Sequence, residues 1–227
     1  MTNAQVKINP SYLKAAMICA STEGTRYYLN GVHFIITKDW VRLVATDGHR
    51  AFYYKEKIPV ITRSAFPDDS LEVIVDLKDL KKALTGIKVN AGEIDVMFEK
   101  EHALINGVQC QYVDATYPDT TRIIPQSDYQ PECYQKLNDQ PFEIQLDAAY
   151  VGDFGKMAKL LGVSPSNVFI QKFGLNPAIV NFGKDQTCFA LIMPKRLLDS
   201  AGAGISFHTM HSIASTVVNK PQLREAS

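Results

Sequence analysis

Side chains able to do chemistry are present in this chain, but they do not form a recognisable catalytic set. His33, His49, His102, His208 and His211 stand in five unrelated contexts, with no nucleophile elbow, phosphate-binding loop or His-Glu-x-x-His pair. Asp47 and His49 have the spacing of an acid–base pair. Asp47-Gly48 is also the strongest two-residue hairpin signal in the chain, and an aspartate there bonds its own backbone instead. Cys19, Cys110, Cys133 and Cys188 are scattered, with no Cys-x-x-Cys pair and no histidine at metal-ligand spacing. They read as free thiols of a reducing compartment. The expectation is a protein that is not an enzyme and holds neither metal nor cofactor.

The elements that would position a site follow from periodicity and turn chemistry. Tyr27 to Thr37 is rich in aromatic and branched residues and predicts a strand broken at Asn30-Gly31. Val41 to Thr46 predicts a second strand, Asp47-Gly48 a type I′ turn with His49 and Arg50 beside it, and Ala51 to Lys57 a third strand. Ahead of them, Val6 to Ile8 is a strand, and Asn9-Pro10 starts a helix whose Leu13, Ala16, Met17 and Ala20 form one apolar stripe. Pro59 to Ser70 reads as a loop.

A second unit opens with a strand at Leu71 to Val75, an Asp76 cap, and a helix facing inward through Leu77, Leu80, Leu84 and Ile87. Strands follow at Glu93 to Phe98 and Ala103 to Val113. A third unit repeats the order: Glu143-Ile144-Gln145-Leu146-Asp147 echoes Glu72-Val73-Ile74-Val75-Asp76. A helix with Val151, Phe154, Ala158 and Leu161 comes next, then strands at Asn167 to Lys172, Ala178 to Phe182 and Thr187 to Met193. The chain is therefore α+β, built from three strand–helix–strands units about 70 residues apart.

Composition narrows the partners. The 227 residues are 46% apolar and 21% charged, with 24 basic and 24 acidic side chains. Bulk charge does not favour nucleic acid, so any DNA contact requires segregated positive residues. Lys78, Lys81 and Lys82 lie opposite the leucine stripe of the second helix, Lys156 and Lys159 repeat the pattern on the third, and Lys14 stands on the first. No N-terminal signal and no run of membrane-spanning length is present, which predicts a cytoplasmic protein that avoids membranes.

Two motifs, Arg26-Tyr27-Tyr28-Leu29-Asn30-Gly31 and Val44-Ala45-Thr46-Asp47-Gly48-His49-Arg50, resemble the second domain of the bacterial DNA polymerase III β sliding clamp. Tyr117-Pro118-Asp119 and Arg122-Ile123-Ile124-Pro125 resemble the segment that leaves that domain. Met193-Pro194-Lys195-Arg196-Leu197 resembles the C-terminal strand of the clamp. The resemblance implies the DNA-clamp fold, with helices on one face of antiparallel sheets. It divides the chain into a complete clamp-like domain at 1–125, a linker at 126–140, a partial clamp-like domain at 141–198 and a tail at 199–227. The clamp's first domain and half of its last have no counterpart, an abbreviated plan that suits a phage or mobile element.

The resemblance further implies a groove for short hydrophobic segments of DNA polymerases and other clamp-binding-motif proteins. Leu29, Thr46, Gly48, His49, Arg50 and Pro125 would form one wall; Leu191, Met193, Pro194, Arg196 and Leu197 would form the other. Arg50 and Arg196 would hold a carboxylate. Ala51 and Lys195 depart from the family's larger apolar residues and widen the groove. The lysines named above would face double-stranded DNA without regard to sequence, and the protein would act as a homo-oligomeric processivity factor. The alternative is a non-ring module that captures clamp-binding peptides and competes with the host clamp.

Overall fold

The computed structural model describes residues 4–58, 61–62, 70–89, 91–125, 146–173, 176–184 and 186–195. The proposed linker, the tail, Arg196 and Leu197 lie outside the described residues, as do Glu143 to Gln145. The described residues all belong to one compact unit, residues 1–195.

Local signals fix the helices. α1 (Pro10–Cys19) starts with proline, and the Asn9 side chain accepts from the Ser11 N–H. α2 (Leu77–Ala83) is capped by Asp76, which accepts from Lys78 and Asp79, and α3 (Ala148–Leu160) by Asp147, which accepts from Ala149. Each cap satisfies a backbone donor that has no partner within the helix.

Among the described residues, twelve strands form two antiparallel sheets. β1 (Ala4–Ile8), β5 (Ile61–Thr62), β7 (Ile94–Phe98), β8 (His102–Ile105) and β9 (Val108–Gln111) build a five-stranded sheet in the order β5-β1-β7-β8-β9. β2 (Gly31–Ile36), β3 (Val41–Thr46), β4 (Arg50–Glu56), β6 (Leu71–Asp76), β10 (Val168–Phe173), β11 (Asn176–Phe182) and β12 (Cys188–Ile192) build a seven-stranded sheet. Its order is β10-β11-β12-β4-β3-β2-β6. The third unit thus adds its strands to the edge of the first through β12 and β4, with Leu191 opposite Ala51 and Phe189 opposite Tyr53.

Strand alternation gives the large sheet two apolar faces. Phe34, Leu43, Phe52, Tyr54, Val180 and Ala190 share a core with Leu13 of α1 and with Phe154 and Met157 of α3. On the opposite face Val44, Ala51, Tyr53, Ile74 and Leu191 join Leu29 and Tyr117 in a second cluster, against which Val113, Ala115, Ile123 and Ile124 pack. The segment leaving β9 therefore covers part of the sheet's outer face.

Three sequence expectations change. Gly24–Leu29 is a 3-10 helix and not the start of a strand, because its backbone bonds locally: the Asn30 N–H donates to the Tyr27 carbonyl at 3.0 Å. Ile61–Thr62, expected in a loop, pairs with β1. Ala103 to Val113 is not one strand but the β8–β9 hairpin. Asn106 and Gly107 have φ of 50° and 76°, the pair of positive values that a type I′ turn needs. Gly107→Ala is therefore expected to cost about 1 kcal/mol, read as a lower urea midpoint, while Asn106→Gly changes it little.

His33 on β2 is buried and stacks on Tyr117 with ring centroids 4.6 Å apart. Burial, helped by the Arg42 charge, pushes its pKa down to about 4. Near neutrality it is uncharged, so its 3.5 Å approach to Glu72 is not an ion pair. Unfolding returns the imidazole to an ordinary pKa near 6.5, so the unfolded chain takes up the proton first as pH falls. The stability that neutral His33 contributes is present above about pH 6.5 and is lost toward pH 4, by up to about 3 kcal/mol. His33→Phe should flatten that part of the stability–pH curve in urea melts.

Candidate partner-binding groove

The groove lies on the outer face of the seven-stranded sheet, where β12 meets β4. Pairing of Leu191 with Ala51 puts a large side chain beside a small one, and Leu29 and Thr46 close the floor. Met193 stands at the mouth, held by its N–H donating to the His49 carbonyl at 2.8 Å. Pro118 to Thr120 and Ile123 form the facing rim, with Arg26, Tyr28, Gly48 and Arg50 at the hairpin end. The space is about 270 Å³, room for one or two apolar side chains.

The hairpin at its end is not the type I′ turn expected. β3 and β4 are joined by Asp47, Gly48 and His49, and only Gly48 has positive φ, at 88°. Asp47 Oδ1 accepts from the His49 and Arg50 N–H groups at 2.9 and 3.0 Å, so its carboxylate organises the loop rather than pairing with the imidazole. A Cβ on Gly48 would lie 2.8 Å from an Arg26 guanidinium nitrogen that donates to the Asp47 carbonyl at 3.2 Å. Gly48→Ala should therefore cost about 1–2 kcal/mol in thermal melts and shift Arg26 at the groove.

Arg50 also makes contacts within the chain that the sequence did not suggest. Its Nε bonds Asp47 Oδ2 at 3.1 Å, Nη1 bonds Asp153 of α3, and Nη2 donates to the Ile18 carbonyl of α1 at 2.8 Å. The guanidinium also lies over the Tyr150 ring, 4.5 Å from its centroid. Burial opposes the charge, but the Asp153 hydrogen bond and neighbouring carboxylates outweigh it and raise the Arg50 pKa. For Asp153, burial likewise opposes ionisation, and hydrogen bonds from Lys156 and Arg50 hold the carboxyl below its ordinary range. Arg50 thus ties the hairpin to two helices, with one bond each from Nε, Nη1 and Nη2.

Of the expected wall residues, Leu29, Thr46, Gly48, Arg50, Leu191 and Met193 line this space. His49, Pro125 and Pro194 do not; the His49 ring lies near Tyr150 instead, 6.0 Å between centroids. Lys195 is not a wall residue either: it pairs with Asp147 at 2.8 Å, joining the end of β12 to the cap of α3. Arg26, Tyr28, Pro118, Asp119, Thr120 and Ile123 also line it and were not expected as wall residues. Arg26 opens the first motif and Asp119 closes the Tyr-Pro-Asp triplet, so the motifs themselves were the available signal.

The lysines do not form a uniform set. Lys82 pairs with Asp79 at 2.9 Å, Lys156 with Asp153 at 2.6 Å, and Lys14 donates to the Ile87 carbonyl. Lys78, Lys81 and Lys159 are exposed. α1 and α3 pack together, whereas α2 packs on β2, β6 and β9.

Residues 7–119 match the family model described as DNA polymerase III beta subunit, central domain. The beta sliding clamp of Bacillus subtilis is 28% identical over 118 residues, 50% of this chain and 30% of that protein. The chain is a β-clamp-like protein. Its fold agrees with that assignment. A sliding clamp from Bartonella birtlesii bound to griselimycin aligns with a TM-score of 0.63 and 20% identity, over 87% of this chain and 67% of that one. The Helicobacter pylori beta clamp bound to a DNA ligase peptide aligns at 0.61 and 13% identity, over 86% and 66%. The sequence match to the Bacillus subtilis relative spans about a third of that protein's length. In the β-clamp-like protein antiparallel sheets carry helices on one face, and no described helix is long and apolar enough to cross a membrane.

Proposed function

We propose that this protein is a sliding-clamp-like processivity factor whose outer groove holds a short apolar segment of a DNA polymerase or another clamp-binding-motif protein. The observation that carries the reading is the β12–β4 joint, which sets Leu191 against Ala51 and opens an apolar floor between two polar ends. Such a groove suits a peptide anchored by one or two apolar side chains, and Met193 at its mouth adapts to varied ones. The DNA ligase peptide on the Helicobacter pylori clamp and the griselimycin on the Bartonella clamp support it.

The reading extends to double-stranded DNA, met through exposed helix lysines such as Lys78, Lys81 and Lys159 by salt-dependent, sequence-independent attraction. It also extends to self-association and to a cytoplasmic, non-catalytic role in replication. The groove is tested by calorimetric titration with griselimycin: saturable binding that competes with the ligase peptide is expected, and no heat with either ligand contradicts the reading. DNA encirclement is tested by retention on nicked circular DNA. Release on linearising the circle supports it; equal retention on both forms contradicts it.

A further inference from the structure

The apolar floor of the groove does not end at Leu191. Two residues back along β12, Phe189 faces the same side of the sheet, and its ring stacks on Tyr53 with centroids 4.7 Å apart. On β11, Ile179 pairs with Leu191 and Asn181 with Phe189, so both rows continue across the sheet. The Tyr53 hydroxyl donates to the Thr120 carbonyl at 2.9 Å, which holds the segment carrying Ile123 and Ile124 along one side. Ile123 rims the groove, while Ile124 borders a second open space of about 700 Å³ over Ile179, Asn181 and Phe189.

Beyond that space, Phe169 of β10 pairs with Asn181 and is 59% exposed. Phe169 and Phe189 therefore flank Asn181 on the outer face, one from each neighbouring strand. Strands two apart lie about 10 Å from one another, and a ring stacked between two others needs about 7 Å. The row has room for one further aromatic side chain, with the Asn181 amide at its base. Single exposed apolar residues are ordinary on a surface. Phe169 differs in ending an aromatic row that begins at Tyr53, within the buried outer cluster.

We propose that the segment held in the groove extends past it along β12 and lays an aromatic side chain over Asn181, between Phe189 and Phe169. Continuity names the occupant. Leu191 to Phe189 is about 7 Å along the strand, so a chain anchored at Leu191 reaches the slot within about three extended residues. The partner is then a peptide with an apolar anchor and an aromatic residue two or three positions away, whose ring gains stacking on both faces. The inference rests on the reading of the groove as a peptide site and adds a contact that can be removed separately.

The test is fluorescence anisotropy of the DNA ligase peptide, unextended and extended at either terminus by two glycines and a tryptophan, with alanine replacing tryptophan as the control. One tryptophan extension should bind the full chain about tenfold more tightly than its control, because the tether raises the effective concentration of the ring at the slot. Phe169→Ser, at an exposed position, should abolish that gain and leave the unextended peptide's affinity unchanged. No binding by any of the peptides overturns the groove reading and this extension with it. Binding without a gain at either terminus, or a gain that survives Phe169→Ser, overturns the slot alone. A gain absent from the natural sequence, together with a sedimentation mass that falls on Phe169→Ser, assigns the slot to a second copy and also overturns the proposal.

Discussion

Arg50→Ala is expected to destabilise the fold by about 2–4 kcal/mol, the largest single-site loss outside the apolar core. Asp47 and Asp153 would each lose their guanidinium partner while their side chains remain only 15% and 17% exposed, and the Ile18 carbonyl would lose a donor. The cost comes from leaving these groups unpaired and partly desolvated rather than from any great strength of the pair itself. Urea unfolding at neutral pH reads it directly, and Arg50→Lys should recover only part of the loss, since one ammonium cannot span three acceptors in a fixed fork. The penalty should also shrink in acid. The Asp153 pKa is lowered in the folded state, so its ion-pair stability is present above the ordinary carboxylate range and is lost as pH falls through the folded value. A loss under about 1 kcal/mol at pH 7 would show that this network does not hold the hairpin against the helices.

Met193→Asp is the second large effect, on binding rather than stability. Met193 is 36% exposed at the mouth of the groove, so the fold should tolerate the change with little shift in melting temperature. An apolar peptide segment seated there would have to desolvate the new carboxylate, weakening binding by about 100-fold, or ~3 kcal/mol. Ala51→Leu gives a separate check on groove depth, because a larger side chain opposite Leu191 takes up floor space and should favour smaller anchors over aromatic ones.

The parts of this molecule that local chemistry decides were legible in the sequence. Asn9, Asp76 and Asp147 cap helices because their side-chain oxygens reach N–H groups two or three residues away. The leucine stripe of α2 is buried as its spacing requires. Local signals misled where two patterns competed. The apolar residues of Ala103 to Val113 hid the Asn106-Gly107 turn, and the aromatic run at Tyr27-Tyr28 looked extended although its backbone closes on itself. Asp47-Gly48 carried a hairpin signal, but the added His49 made a three-residue loop.

Long-range pairings were another matter. Nothing in the periodicity of β12 says that Leu191 meets Ala51, and only the resemblance carried by Arg26 to Arg50 and Met193 to Leu197 brought the two stretches together. Arg50 shows the limit of that inference. Its motif pointed to the right end of the groove, but its acceptors, Asp153 and Ile18, lie on α3 and α1, and only the packed helices reveal that its charge is used internally. The rim from Pro118 to Ile123 was likewise recognised as a motif, but its position over the sheet depends on the packing of Tyr117 and Ile124 against the outer face.

The most direct test of the groove is fluorescence anisotropy of the labelled DNA ligase peptide, titrated with the full chain and with Met193→Asp at equal, verified fold stability. The account predicts saturable micromolar binding to the natural sequence and about 100-fold weaker binding to the variant. Equal affinity for both proteins, or no saturable binding to either, would contradict it.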